Sequence, residues 1–226
     1  MSTTWEQIET QAMTYIKNDL SLDWDMANRL AVYYNRMAGY MKAAIPLFNR
    51  PPEMILKLRD FTEPMFDDLV YTIPNVSTFP LTIETEMVGY DICNCGAITE
   101  DEYGNISYQP IEVTSYDSAT GSVVIPKVSY RELQFDFYKS GTFQKDLNPT
   151  EINILAFAIY DVWEHRFDND ALERKSKVRD SSFTTISEAS QTTAGTLRQK
   201  EVDAQLFSMM RAYQENLAVL AVKRLI

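Results

Sequence analysis

NPTEINILAFAIYDVW, at residues 148–163, predicts a helix at the centre of this protein. Asn148 is a favourable N-cap residue, Pro149 suits the first helical position, and Glu151 supplies the carboxylate of a capping box. The rest of the stretch is apolar on nearly every side of a helix, which is typical of a helix buried among other elements. The sequence turns polar at 164–166 (Glu-His-Arg), which we interpret as the polar end of that helix.

A long closing helix is predicted from about residue 196 to 224, after a Ser/Thr-rich stretch at 181–195 that predicts a surface loop. Apolar residues in this helix repeat at three- and four-residue steps, nearly a heptad seam. We expect the earlier half of the seam to be buried in the chain's own core and 217–226 to reach a partner. The seam consists of Val202, Leu206, Met210, Tyr213, Leu217 and Leu220. The predicted partner-contact residues are Leu217, Leu220, Val222, Leu225 and Ile226.

Helices are also predicted at the start of the chain. Ser2 or Thr3 is placed as the cap of a first helix, and Asp23 as the start of a longer one. The longer run carries a wide apolar stripe, interpreted as the buried face of a helix bundle. The stripe consists of Met26, Leu30, Tyr33, Tyr34, Met37 and Met41. Pro52 predicts a short further helix.

The middle of the chain predicts antiparallel β-structure, a small sandwich or half-barrel. It holds five of the seven glycines and carries eleven acidic against four basic side chains. A hairpin is predicted around 117–121 because a glycine ends that loop. In ELQFDFY (132–138), alternation places Leu133, Phe135 and Phe137 on one face of a strand.

These patterns predict an α+β protein, a bundle of about four to five helices with an inserted antiparallel β-rich module. The predicted parts are an N-terminal helical part at 1–77, the acidic β-rich module at 78–147, and a C-terminal helical part at 148–226 that packs with the first.

Composition excludes several classes of function. The 226 residues carry 21 Lys and Arg against 32 Asp and Glu, a net charge of −11, which disfavours a surface built to bind duplex DNA. Two cysteines make no disulfide framework, and one histidine excludes sites that need several imidazoles. No apolar run reaches the length of a membrane span, of about 18 residues, and the first residues lack the layout of a signal peptide.

No catalytic or cofactor-binding motif emerges from the sequence. Cys93 and Cys95 are interpreted as ordinary reduced thiols rather than metal ligands, and 100–102 (Glu-Asp-Glu) as a solvated hairpin tip rather than a calcium site. Asp67 and Asp68 are adjacent and diverge in direction, which argues against paired catalytic carboxylates. His165 beside a glutamate is open to a role as general base, but the polar end of a helix is favoured. We therefore predict no catalytic residue, no cofactor and no metal, and no enzyme.

The last third resembles the small neck proteins of tailed phages. The resemblance rests on FDFYKSGTFQKDLNPTEINILAFAIYDVWEHR (135–166), the Ser/Thr-rich SSFTTISEASQ (181–191) and the long closing helix, together with AVYYNRMAGYMKAAIPLF (31–48) in the early helix. It implies a structural virion protein, made in the host cytoplasm, that forms an adaptor or head-completion ring of twelve copies. Such a ring lies between the portal protein and a tail or second neck protein, and extends the channel through which DNA passes without sequence-specific binding.

Two other functions stay open from the sequence. One is a tail-completion or baseplate protein whose β-module holds another tail protein. The other is a binding module that uses its acidic β-domain to hold a basic partner.

A ring of the kind that the resemblance implies makes heterologous contacts, so it requires two different patches on each subunit. An acidic subunit also suits a conduit through which DNA slides, because each phosphate contact would hold the DNA.

Overall fold

A computed structural model of the chain describes residues 2–17, 19–74, 78–100, 106–177 and 186–223, with side chains except at 100, 106, 167–177 and 186–195. The fold is α+β, as predicted, and the described residues form six α-helices rather than four to five, together with antiparallel sheets. The helices are α1 (Trp5–Ala12), α2 (Leu20–Asn28), α3 (Leu30–Ala44), α4 (Pro52–Leu58), α5 (Pro149–Lys177) and α6 (Ile186–Lys223), with a short 3-10 helix at Ile45–Leu47. The strands are β1 (Phe61–Thr62), β2 (Met65–Thr72), β3 (Leu81–Glu84), β4 (Asp91–Glu100), β5 (Ile106–Pro110), β6 (Ser115–Asp117), β7 (Ser122–Ile125), β8 (Glu132–Lys139) and β9 (Thr142–Phe143).

The chain divides into two compact units whose boundaries differ from the predicted ones at 77 and 147. The helical unit comprises 1–18, 37–62 and 142–226, and the β-unit comprises 19–36 and 63–141. Strand structure begins at β1, before the predicted start of the β-rich module at 78. The β-unit also includes α2 and the first part of α3, which the sequence placed with the helices.

The start of α5 confirms the predicted cap. Asn148 Oδ1 accepts hydrogen bonds from the backbone N–H groups of Thr150 and Glu151, both at 3.0 Å. Glu151 Oε2 in turn accepts from the backbone N–H of Asn148 at 2.7 Å, which completes the capping box. The apolar residues that follow are buried, as expected for a central helix: Ile154, Leu155, Ala156, Phe157, Ala158, Ile159 and Trp163.

Two expectations about the helical unit were wrong. The helix does not end at 164–166 but continues to Lys177. Residues 186–195 of the predicted Ser/Thr-rich loop belong to α6, whereas 181–185 lie outside the described residues. Serine and threonine lower helix propensity only slightly, and long-helix context overrides so weak a preference. Among the described residues, no helix is long and apolar enough to cross a membrane.

The first helix is capped by Thr4 rather than by Ser2 or Thr3. Thr4 Oγ1 accepts from the backbone N–H of Gln7 at 3.3 Å, and the Gln7 side chain accepts from the backbone N–H of Thr4 at 3.2 Å. This reciprocal pair is a capping box, in which Gln7 takes the N3 position. α1 packs against α5, where Asn153 Oδ1 accepts from Tyr15 Oη at 2.7 Å and from Gln11 Nε2 at 3.1 Å.

The predicted helical run from Asp23 is two helices. α2 begins at Leu20 and α3 begins after Arg29, whose non-helical backbone ends α2. Met26 of the expected buried stripe is exposed, whereas Tyr33, Met37 and Met41 are buried as expected. Within the β-unit, the ring of Tyr34 on α3 stacks on Tyr138 of β8 with centroids 4.0 Å apart.

The β-unit contains two antiparallel sheets that share one hydrophobic core, the arrangement of a small sandwich. Strands β2, β8, β4 and β5 form one sheet in that order, and β3, β7 and β6 form the other. Leu133, Phe135 and Phe137 of β8 point into this core, which confirms the predicted alternation. Pro110 ends β5, earlier than the predicted strand end at 113.

The predicted hairpin joins β6 to β7. Gly121 has a φ of 74°, a left-handed backbone conformation that favours glycine. A β-carbon at this position would lie 2.6 Å from the backbone oxygen of Thr85, so the loop also requires a residue without a side chain.

Candidate functional site

Three chemistry-bearing side chains meet where α5 packs on α6 in the helical unit. His165 Nε2 lies 2.9 Å from Asp203 Oδ1 and 3.6 Å from Asp161 Oδ1. Asp161 and His165 are one turn apart on α5, and Asp203 comes from α6. The three ligand atoms all lie within 4.8 Å of one another. We call these three residues the D-H-D cluster.

Burial differs sharply across the D-H-D cluster. Asp161 is only 4% exposed, whereas His165 is partly exposed and Asp203 is exposed. Burial raises the pKa of Asp161, and the hydrogen bond and negative charge of Asp203 raise it further, against an opposing effect of His165. The cluster therefore concentrates two carboxylates at a helix–helix contact, with solvent on one side.

An ion pair between the buried Glu164 and the exposed Arg198 lies next to the cluster. Glu164 is 1% exposed, and its Oε1 lies 2.6 Å from Nε of Arg198 on α6. Arg198 Nη2 also donates to Glu164 Oε2 at 3.2 Å, so the guanidinium contacts both carboxylate oxygens. This paired interaction compensates the buried charge of Glu164. The D-H-D cluster is therefore a separate group of potential ligand atoms.

The cap of α5 is a second polar site in the helical unit, and its groups are mutually satisfied. Lys57 Nζ donates to Glu151 Oε2 at 2.7 Å, and Tyr213 Oη donates to Glu151 Oε1 at 2.8 Å. Asn148 Nδ2 donates to Tyr213 Oη at 2.9 Å. Burial, followed by the hydrogen bond to Glu151, raises the pKa of Tyr213. Each polar group has a partner, so this site ties α4, α5 and α6 together.

Sequence reasoning considered His165 but missed the D-H-D cluster. The signal within α5 was available, because residues four apart lie on one face of a helix and Asp161 precedes His165 by four. Asp203 could not be assigned from spacing, since it is 38 residues away along the chain and approaches only through the packing of α6. The structure does not pair His165 with Glu164, as a role for His165 as a general base beside that glutamate would require. Glu164 pairs with Arg198 instead.

The other candidates belong to the β-unit, whereas the D-H-D cluster belongs to the helical unit. Cys93 and Cys95 are free thiols on β4, and burial, followed by the charge of Asp136, raises the pKa of each to about 12. They are therefore protonated at neutral pH, and a protonated thiol is a poor nucleophile and metal ligand. Asp67 and Asp68 are exposed on β2, and the acidic stretch 100–102 has only the backbone of its first residue described.

The predicted contact residues lie on α6, where burial changes along the helix. The earlier seam residues are buried as expected: Val202, Leu206, Met210 and Tyr213. Leu217 is partly buried, and Leu220 and Val222 are 53% and 57% exposed. Leu225 and Ile226 lie outside the described residues.

Comparison with known proteins adds no further identification. No known protein family, curated protein or solved structure matches this chain.

Proposed function

We propose that this chain is a structural protein of a tailed-phage virion, an adaptor subunit that assembles into a ring between portal and tail and extends the DNA channel. In this proposal the helices of the helical unit form the bundle that serves as the rigid wedge of the ring. The second half of α6 contacts the next copy of the chain. The work is mechanical and needs no reacting side chain.

The carrying observation is the apolar face on the second half of α6. Val219, Leu220 and Val222 are each more than half exposed, and Leu220 continues the seam whose earlier residues are buried. A soluble chain rarely leaves adjacent aliphatic side chains on a helix open to water, because covering them with another protein surface is favourable. We infer that another copy of the chain covers this face.

A second apolar patch supports the ring over a closed dimer. Leu20 and Trp24 are one turn apart on α2 in the β-unit, and they are 81% and 53% exposed. A cyclic ring joins two different patches of each subunit, whereas a two-fold dimer uses one patch twice. The chain therefore offers distinct surfaces on different units, as a head-to-tail contact requires.

Charge supports a conduit rather than a DNA-binding role. The chain has a net charge of −11, and each Lys–phosphate or Arg–phosphate contact strengthens binding to DNA and retards sliding. A ring of acidic subunits makes few such contacts. This argument supports the channel part of the proposal without assigning any residue to its lining.

The mass of the purified full-length chain tests assembly. Light scattering coupled to size-exclusion chromatography, with the chain alone and mixed with the portal protein of the same phage, should show a high-order ring. Replacing Leu220 and Val222 together with serine should give a folded monomer, because both side chains are exposed in the isolated chain. Leu197→Ser is the matched control, since Leu197 is 55% exposed near the start of the described side chains of α6.

A monodisperse monomer under both conditions contradicts the proposal. So does a ring that forms equally well with both the double variant and the control. Imaging of assembled particles then distinguishes the neck from the tail-completion alternative: density directly below the portal supports the adaptor, and density at the first tail ring or baseplate supports the alternative.

A further inference from the structure

We propose that Asp161, His165 and Asp203 bind one divalent first-row transition-metal ion, which joins α5 to α6. This inference is independent of ring assembly. It rests on the D-H-D cluster in a single chain, and it departs from the expectation from sequence that the protein holds no metal site.

The first reason is a buried acceptor that the protein leaves without a donor. Asp161 is 4% exposed, and its Oδ1 has no hydrogen-bond partner among the described residues. His165 Nε2 lies 3.6 Å from this oxygen, but the same nitrogen lies 2.9 Å from Asp203 Oδ1. One imidazole nitrogen carries one hydrogen, so its bond to Asp203 leaves Asp161 Oδ1 without that donor. A buried oxygen of this kind is costly unless a cation or donor reaches it.

The second reason is the donor set. Two carboxylate oxygens and one imidazole nitrogen converge to within 4.8 Å of one another. Bond lengths of about 2.0–2.2 Å to nitrogen and oxygen place ligand atoms about 3–3.5 Å apart around a tetrahedral ion. The separations of 2.9 and 3.6 Å from the imidazole nitrogen lie close to this range. Small rotations of the exposed Asp203 side chain adjust the remaining distance.

The identity of the donors selects the class of metal. Magnesium and calcium prefer oxygen ligands throughout, whereas an imidazole favours zinc and the other later first-row ions. Two carboxylates neutralise the charge of a divalent cation. Solvent reaches the site past His165 and Asp203, whose side chains are 43% and 53% exposed, so water can complete the coordination.

The position of the site predicts its effect. Because Asp161 and His165 belong to α5 and Asp203 to α6, a bound ion links two helices through coordinate bonds. Binding to the folded chain alone stabilises it by mass action. The ion should therefore protect the contact between α5 and α6, while the β-unit is unaffected.

Isothermal titration of the chelator-treated full chain with Zn²⁺ at pH 7.5 tests the site. We expect one equivalent to bind, with Mg²⁺ and Ca²⁺ failing to compete at tenfold excess. His165→Gln and Asp203→Asn should each weaken Zn²⁺ binding at least tenfold. Both side chains are substantially exposed, so these variants should fold. Glu215→Gln is the control, because it removes the same charge from an exposed position on α6 and should bind like the wild type.

Melting temperature provides a second readout. Zn²⁺ should raise the melting temperature of the wild type and the control but not of the two cluster variants. Absence of Zn²⁺ binding at 100 µM overturns the proposal, as does binding that survives both cluster replacements. A difference in melting temperature between the cluster variants and the wild type that is the same with and without Zn²⁺ overturns the proposal too. That result indicates a cluster that acts only as a hydrogen-bonded ion pair.

Discussion

Replacing Glu9 with glutamine should stabilise the helical unit at neutral and alkaline pH. Glu9 on α1 is 1% exposed, and neither of its carboxyl oxygens has a hydrogen-bond partner among the described residues. Burial, with a smaller contribution from the charge of Glu6, raises the pKa of Glu9 from 4.5 to about 8. The folded protein therefore holds this carboxyl protonated at pH 7, whereas the unfolded chain ionises it.

The sign and size of the effect follow from this difference. Because the folded-state pKa lies above the unfolded-state value, the favourable contribution of protonated Glu9 is fully present below about pH 4.5 and is lost as the pH rises to about 8. The loss is about 1.4 kcal/mol per pH unit well inside that window, which amounts to about 2 kcal/mol between pH 6 and pH 8. Glutamine does not ionise, so Glu9→Gln should raise the free energy of unfolding of the helical unit by about 2–4 kcal/mol at pH 8. The cost of leaving the glutamine amide without hydrogen-bond partners reduces this gain.

Hydrogen exchange of the α1 amides is the suitable assay, because the chain has two units and one global transition would average them. Protection of wild type and variant is compared at each of pH 6, 7 and 8, so that intrinsic exchange rates cancel. Glu201→Gln, at an exposed position on α6, serves as the control and should leave α1 protection unchanged at every pH. A variant that is no more protected at pH 8 refutes the reasoning, and so does a gain that stays constant from pH 6 to pH 8.

Three further outcomes are expected from the packing. Gly121→Ala should destabilise the β-unit by about 1–2 kcal/mol or more, because alanine resists its positive φ. Gly39→Ala, with open space at its β-carbon, should be neutral or slightly stabilising in α3. Hydrogen exchange of the β7 amides measures the first effect, and exchange of the α3 amides measures the second. Tyr213→Phe should cost about 1–3 kcal/mol of helical-unit stability, because it leaves the buried Glu151 one hydrogen bond short; hydrogen exchange of the α5 amides reports the loss. Leu206→Ala should cost about 2–5 kcal/mol as a core truncation, measured by thermal denaturation monitored by circular dichroism.

Local signals predicted the elements whose burial pattern is strong. The capping box at Asn148 and Glu151, the alternation along β8 and the glycine at the end of the β6–β7 loop each arise from interactions within a few residues. Such interactions are written directly in the sequence because they do not depend on distant parts of the chain. Each of these three predictions was confirmed.

Elements without one-sided burial were missed. β2 is an edge strand, and most of its residues are exposed, including the adjacent Asp67 and Asp68. Alternation of apolar and polar residues appears only where one face of a strand is buried, so β2 carries little of that signal. The predicted boundary at 78 consequently left β2 in the helical part of the chain.

Clusters assembled from distant elements also escaped prediction. Asp25 is fully buried on α2, and it is compensated by Arg29 Nη2 at 2.6 Å and by Arg36 Nη1 of α3 at 2.7 Å. Only the first of these pairs has helical spacing. The same holds for the D-H-D cluster, in which α5 supplies two residues at a recognisable spacing and α6 supplies the third. Sequence spacing gives one side of such a site, and packing supplies the other.

The seam on α6 shows why periodicity alone could not assign a partner. A helix with apolar residues at three- and four-residue steps has the same pattern whether its neighbour belongs to the same chain or to another. The structure shows which half of the seam is buried within the chain, because Met210 is 1% exposed and Leu220 is 53% exposed along one continuous helix. Truncating the first residue should therefore reduce stability, whereas truncating the second should reduce assembly and leave the isolated chain folded. If both truncations reduced stability equally, the exposed half of α6 would be folding surface of the same chain, and the ring contact would have to lie elsewhere.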